Sequence, residues 1–333
     1  MYTNYFGFSE RPFDVNPDPK FLYLTESHRE ALSAMLYGIT EKRGFMAMTG
    51  EVGTGKTTVI NALLNSLDEK IKTACIFRKC TTFQEFLRAI LFEFGIPTNG
   101  CNRFVLWQKL NEYLVKTASQ GETAVLIIDE AQSLSDGLLE EIRTLSNLET
   151  QKMKLLQIIL VGQPELELKL NSKKLRQLKQ RIVMHRKLVP LSEEETSGYV
   201  KHRLDLVGGN VEELFTHDAI SLICRYSKGT PRVINLLCDN AFLIGYALAL
   251  KKVDRAIVRE AIRDMNDAMV LPGEAGLMVS SEICQPIEGR DGFIHAFKNS
   301  MISLRGRAHR RLSHAVAGSG IDDKDTSSSR LGS

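Results

Sequence analysis

Residues 49–58 read TGEVGTGKTT, and the reading of this stretch decides the fold. Three glycines, Gly50, Gly53 and Gly55, lie within six residues and are followed at once by Lys56, Thr57 and Thr58. Glycine adopts backbone conformations closed to other residues, so successive N–H groups of such a loop can all turn inward around an anion. The five residues before it, FMAMT (45–49), are apolar enough for a buried strand, and KTTVINALLNSL (56–67) has a helical pattern. Gly50, Gly55, Lys56 and Thr57 fit the spacing G-x-x-x-x-G-K-[ST], in the strand–loop–helix context that the pattern requires. The helix N-terminus adds positive potential to the loop amides. The cradle so defined comprises Gly50, Glu51, Val52, Gly53, Thr54, Gly55, Lys56, Thr57 and Thr58. In such a loop Lys56 reaches the outer phosphates of a nucleotide and the Thr57 hydroxyl serves Mg²⁺, so ATP and Mg²⁺ are the expected ligands.

Two further stretches belong with that loop. AVLIIDEAQ (124–132) is an apolar strand ending in Asp129 and Glu130. Strand ends of parallel sheets are where ligands bind. Asp129 is placed to hold the metal, and Glu130 to act as general base toward water. An enzyme transferring phosphate to a small molecule has no need of the second carboxylate, so hydrolysis is favoured. KGTPRVIN (228–235) puts Arg232 just after Pro231 at a predicted helix start. The helix dipole disfavours a cation there, and a phosphate docking on Arg232 would resolve the conflict.

Outward from these stretches, apolar strands at 45–49, 73–78, 124–129, 155–162 and 182–189 alternate with amphipathic helical segments. That alternation predicts a parallel sheet covered on both faces. After Ser192 the strand signals stop and helical patterns continue to about Met269. SEEETSGYVKHRLDLV (192–207) opens with serine and acids, as a helix start does, and THDAISLICRYSKG (216–229) closes on glycine, a C-cap signal. The fold class is therefore α/β, a sheet sandwiched by helices, followed by a small all-α lid. The expected divisions are a leader at 1–40 packing on the nucleotide domain, that domain at 41–190, a helical lid at 191–270, and a poorly ordered basic and polar tail at 271–333.

The composition is that of an ordinary soluble protein: 333 residues, 43% hydrophobic, 25% charged, net charge +3. Near balance, it neither demands nor excludes a nucleic-acid partner. The six cysteines show no CxxC pairing and read as reduced thiols. The N-terminus lacks the basic start and apolar run of a signal peptide. Residues 233–250 are apolar but contain Asn235, Asp239 and Asn240, and they read as a buried helix rather than a membrane span. A cytoplasmic location is expected, with peripheral attachment at the inner membrane as an extension of it.

Together, Gly50–Thr57, Asp129–Glu130 and Arg232 in a helical lid resemble an AAA+ ATPase. The resemblance implies a sensor role for Gln163, in LVGQPEL after the fourth strand, although asparagine, serine or threonine is commoner there. It also implies an arginine finger, supplied to a neighbouring subunit, at Arg181 in LRQLKQRI or at its rival Arg176. A finger needs a neighbour, so a homo-oligomer, such as a ring, follows. The leader YFGFSERPFDVNPDPKFLYLTESHREALSAMLYGI, together with LLQIILVGQPELELKL and PRVINLLCDNAFLIGYA, is similar to the general secretion pathway protein A (ExeA-type) family. That similarity covers roughly residues 1–268 and brings Phe21, Tyr23 and His28 near the base, with His28 also readable as a helix-start residue. Longer members of that family continue into a transmembrane helix and a peptidoglycan-binding domain; no such helix is expected here.

The function these residues imply is ATP hydrolysis driving a conformational cycle in a secretion or exopolysaccharide-export envelope complex, with a protein of that complex as partner. The alternative is a DNA-binding helper ATPase of the kind that selects transposition targets. Basic residues at 173–187 and in KNSMISLRGRAHRR (298–311) would follow a phosphate backbone. A small-molecule phosphotransferase and an ATP-binding scaffold without turnover are the remaining classes.

Overall fold

The computed structural model describes residues 1–14, 18–77, 80–149 and 153–269. The expected tail at 271–333, with its basic stretch and Cys284, lies outside the described residues. From Met1 to Val270 the chain forms one compact unit.

The chain opens with α1 (Tyr2–Phe6) and α2 (Glu26–Thr40), then enters β1 (Phe45–Gly50) and α3 (Lys56–Ser66). Next come β2 (Ile71–Ile76), α4 (Phe83–Glu93), α5 (Arg103–Ser119), β3 (Thr123–Ile128) and α6 (Asp136–Leu145). β4 (Leu156–Gly162), α7 (Pro164–Leu170), α8 (Arg176–Arg181) and β5 (Ile182–Leu188) complete the α/β part. The five strands are parallel, in the order β2-β3-β4-β1-β5. β2 begins two residues before the apolar run suggested, because Ile71 and Lys72 pair in register with Thr123 and Ala124.

Alternation along the inner strands β1, β3 and β4 divides their side chains between two cores, while the edge strand β5 exposes Val183, His185, Arg186 and Lys187. Leu126 and Ile128 of β3 join Phe86 and Leu87 of α4, Leu110 of α5 and Leu139 of α6 on one face. Val125 and Ile127 join Met35 of α2 and Val59 and Leu63 of α3 on the other. Burial on both faces is why these strands read as continuous apolar runs.

The remaining helices are α9 (Glu193–Asp205), α10 (Val211–Leu214), α11 (His217–Ser227), α12 (Pro231–Ala247) and α13 (Arg255–Met269). They enclose a third core that includes Leu204, Ile223, Leu237, Phe242 and Val258. α9 starts on a capping box between Ser192 and Glu195, the serine-and-acid signal read in the sequence. The end of α11 differs from expectation. Lys228, not the glycine, takes the left-handed cap position at φ 48°, and Gly229 follows at φ 71°. Gly229 is needed one residue later for a different reason. Its carbonyl accepts from Leu191 N at 2.8 Å, and a Cβ there would stand 1.9 Å from the Leu191 carbonyl oxygen.

The leader also departs from expectation. Only α2 lies against the sheet; Tyr2, Phe8, Phe13 and Phe21 belong to the core of the helical group. Tyr2, Phe6, Phe8, Phe13 and Phe215 surround Phe242 with ring centroids 4.8 to 6.1 Å away. The Tyr2 hydroxyl donates to Asp239 on α12. Around Phe242 the rings are stacked or edge-to-face, arrangements that add to the burial of their apolar surface. Seven residues of α12, among them Asn235, are buried in the protein core, and among the described residues no helix is long and apolar enough to cross a membrane.

Candidate nucleotide site

Strand order assembles the site. β4 lies between β3 and β1. The residue after β4, Gln163, is therefore flanked by Asp129 and Glu130 after β3 and by the glycine loop after β1. All three segments leave the sheet at its carboxyl end, where parallel sheets bind ligands.

The loop is held from two sides. Gly53 has φ 80°, and a Cβ on it would stand 2.9 Å from Cβ of Arg232 and 3.1 Å from Cγ2 of Thr230. Glycine here lets the start of α12 close onto the loop. Gly55, the N-cap of α3, has φ 94°, and a Cβ there would meet His28 Nε2 at 2.8 Å. His28 is almost fully buried, and its Nε2 donates to the Thr54 carbonyl at 2.8 Å. A carbonyl only accepts, so Nδ1 carries no proton and accepts from Thr25 in the capping box that opens α2. Burial pushes the His28 imidazole below its ordinary value, against an opposing pull from the Thr54 bond, so it stays neutral. His28 is thus a helix-start residue that also pins the loop.

Lys56 is buried, and its Nζ donates to the carbonyls of Gly50 at 2.8 Å and Glu51 at 3.0 Å. Burial pushes its ammonium down, and the carboxylates of Glu130 and Asp129 pull it back up. Asp129 is shifted the opposite way, raised chiefly by burial, while its Oδ1 accepts the Glu130 N–H at 2.8 Å. Glu130 itself sits in the left-handed region at φ 51°. Its Oε2 accepts from the Gln163 side-chain amide at 3.0 Å and also from that of Gln132. Gln132 went unnoticed in the sequence. Its link to Gln163 depends on β3 and β4 being neighbours, which no local pattern encodes.

A cavity of about 500 Å³ joins these parts. Lys56, Thr57 and Glu130 line it at one side; Arg232 lines it from α12, and Phe21, Tyr23 and His28 line it from the leader. Asp129 and Gln163 are not among the lining residues; each is bonded to Glu130, which is. Arg232 is exposed, and no hydrogen bond or ion pair holds its guanidinium among the described residues. Thr230, the N-cap of α12, makes no side-chain cap bond. A helix start that lacks a side-chain cap and carries a cation fits an anionic ligand. The donor set also fits Mg·ATP. A glycine cradle closed to Cβ atoms faces a carboxylate whose ionised form burial disfavours, and a divalent cation would restore it. Arg181 lies elsewhere, exposed on α8, donating to Ser146 Oγ at 3.3 Å and Asn147 Oδ1 at 3.4 Å. Arg176 opens the same helix and is exposed too.

A glycine cradle, carboxylates after β3, a polar residue after β4 and a helical group carrying an arginine define the AAA+ P-loop class, and residues 39–170 match the AAA domain family. Within that class the chain is related to the General secretion pathway protein A of Aeromonas hydrophila. The two are 43% identical over 254 residues, which is 76% of this chain and 46% of that protein, so the chain spans less than half of its relative's length. Solved structures agree on the fold. The Aeropyrum pernix ORC2 protein superposes with TM-score 0.60 at 18% identity, over 79% of this chain and 74% of that one. A chain of the Drosophila ORC bound to DNA gives 0.57 at 20% identity, over 77% and 64%.

Proposed function

We propose that the chain binds Mg·ATP in this cavity and hydrolyses it to drive a conformational cycle between subunits. One observation carries the reading: Lys56, Glu130 and Arg232, distant in sequence, line a single cavity. The loop amides and Lys56 hold the outer phosphates, and Arg232 approaches them from α12. Thr57 and Asp129 would hold Mg²⁺, which neutralises charge on the phosphate oxygens when bound. Glu130 takes the proton of the attacking water. Arg181, exposed and not among the residues lining its own cavity, is offered to a neighbouring copy, with Arg176 on the same helix as its rival. Closure of the helical group over the loop is the movement that binding favours and hydrolysis releases.

The similarity to General secretion pathway protein A supports a role in assembling or remodelling a secretion or export complex at the cell envelope. The chain then acts as a cytoplasmic homo-oligomer at the inner face of the membrane. A second reading, service on DNA, is favoured by one feature. Lys173, Lys174, Arg176, Lys179, Arg181, Arg186 and Lys187 are all exposed along one segment. Binding of that kind weakens steeply with salt.

Replacing Glu130 by Gln tests the first reading. The variant should retain ATP but lose at least about 100-fold in phosphate release, the usual scale for a missing general base. Unchanged turnover would remove Glu130 from its role. DNA that leaves turnover unstimulated at low salt would remove the second reading.

A further inference from the structure

Glu130 is held by two amides, and only one of them belongs to the residues singled out in the sequence. Gln163 Nε2 donates to Glu130 Oε2 at 3.0 Å, and Gln132 Nε2 donates to the same oxygen. Gln132 is itself oriented. Its Oε1 accepts the backbone N–H of Gln163 at 3.1 Å. A backbone N–H can only donate, so it fixes which end of the Gln132 carboxamide is oxygen and turns the NH₂ end toward Glu130. Space for this arrangement comes from Gly162, the last residue of β4, where a Cβ would stand 2.8 Å from Gln132 Oε1. Glu130 Oε1 has no hydrogen bond among the described residues, so the clamp leaves one oxygen for chemistry while it immobilises the other.

We propose that Gln132 is a positioning residue for the reaction: with Gln163 it forms a two-amide clamp that aims the free oxygen of Glu130 at the attacking water. This rests on Glu130 being the general base. Two neutral donors suit the task, because they restrain a carboxylate without placing a competing proton donor of high acidity or a counter-charge beside it. The clamp also ties the base to the β4–α7 turn. Lys169 of α7 donates to the Leu134 carbonyl at 2.8 Å, a second tie between the same two segments. A shift of α7 therefore reaches the Glu130 carboxylate through Gln132 and Gln163 together.

Steady-state phosphate release from Mg·ATP, with ATP affinity and thermal melting measured in parallel, tests the proposal on the whole chain. Gln132→Leu removes both links. Gln132→Met is nearly the same size and removes both links without adding charge, so it guards against a packing artefact. Both should lower kcat by about 10- to 100-fold, the scale of a misaimed catalytic group, with KM within about twofold and melting little changed. In a Glu130→Ala background, Gln132→Leu should add no further loss, as expected for residues acting as one unit. Wild-type kcat in either variant, a rise in KM alone, or a full additional loss in the Glu130→Ala background would overturn the clamp. Those results would leave the ATPase reading standing provided the parent chain turns over. A parent chain that binds ATP without turnover would overturn the reading and the clamp together.

Discussion

His28 shows what a single buried side chain contributes to this protein. Its neutral ring bridges the cap of α2 and the carbonyl of Thr54, so the same side chain starts a helix and fixes the phosphate loop. The folded ring resists protonation, whereas in the unfolded chain it titrates near 6.5. Below that pH the unfolded state takes up a proton that the folded state refuses, so stability falls as pH drops through 6.5 and on toward the folded value. His185, bonded to Thr49 at 2.8 Å and also lowered by burial, adds in the same direction. Urea unfolding at about pH 7.5 and about pH 5.5 should show this loss, and His28→Gln should shrink it to the share left by His185. An equal loss in the variant would remove His28 as its source. Lys56, Glu130 and Arg232, singled out by local spacing, line one cavity, whereas Asp129, singled out the same way, does not. Gln132 was not legible in the sequence, because its partner lies across a strand pairing that spacing does not reveal.

At the scale of elements, α12 is built against its own preference. Pro231 sits at the helix start as the sequence suggested, Thr230 leaves the first N–H groups without a side-chain cap, and Arg232 adds positive charge to the positive end of the dipole. An anion docking there would offset the local cost. Arg232→Glu should therefore raise stability by about 0.3–1 kcal/mol in thermal melts, the usual scale for an acid at a helix N-terminus. The same variant should weaken ATP binding at least about 10-fold through loss of a charged donor. A variant that is destabilised and yet binds ATP normally would mean that Arg232 serves the fold instead. Helix and strand positions along most of the chain were readable because amphipathic period and buried apolar runs are strong signals. Their ends were less so: the left-handed cap of α11 fell on Lys228, since Gly229 is required to pass close to Leu191.

For the whole molecule, the sheet and its two covers followed from alternation of strands and helices, but the path of the leader did not. Its aromatic residues carry no period, and their destination, the ring cluster around Phe242, is more than 200 residues away in sequence, a separation seen directly in the Tyr2–Asp239 bond. Arg181, exposed on α8 and bonded to Ser146 and Asn147, is the residue proposed to serve another copy. If it completes a neighbour's site, mixing Arg181→Ala with Glu130→Gln protein should restore part of the turnover that each lacks. Mixed assemblies as inactive as their parents would confine the chemistry to one subunit.

The route of the leader also sets how this protein can be divided. Residues 39–170 carry the recognisable domain match, yet Phe21, Tyr23 and His28 come from before that interval and Tyr199, Arg203 and Arg232 from after it, and all six wall the same cavity. A fragment cut at the borders of that domain match would keep the phosphate loop and lose two sides of the room around it. Gene fusions, tags and domain grafts must respect a border that runs from the first aromatic residue to the last helix.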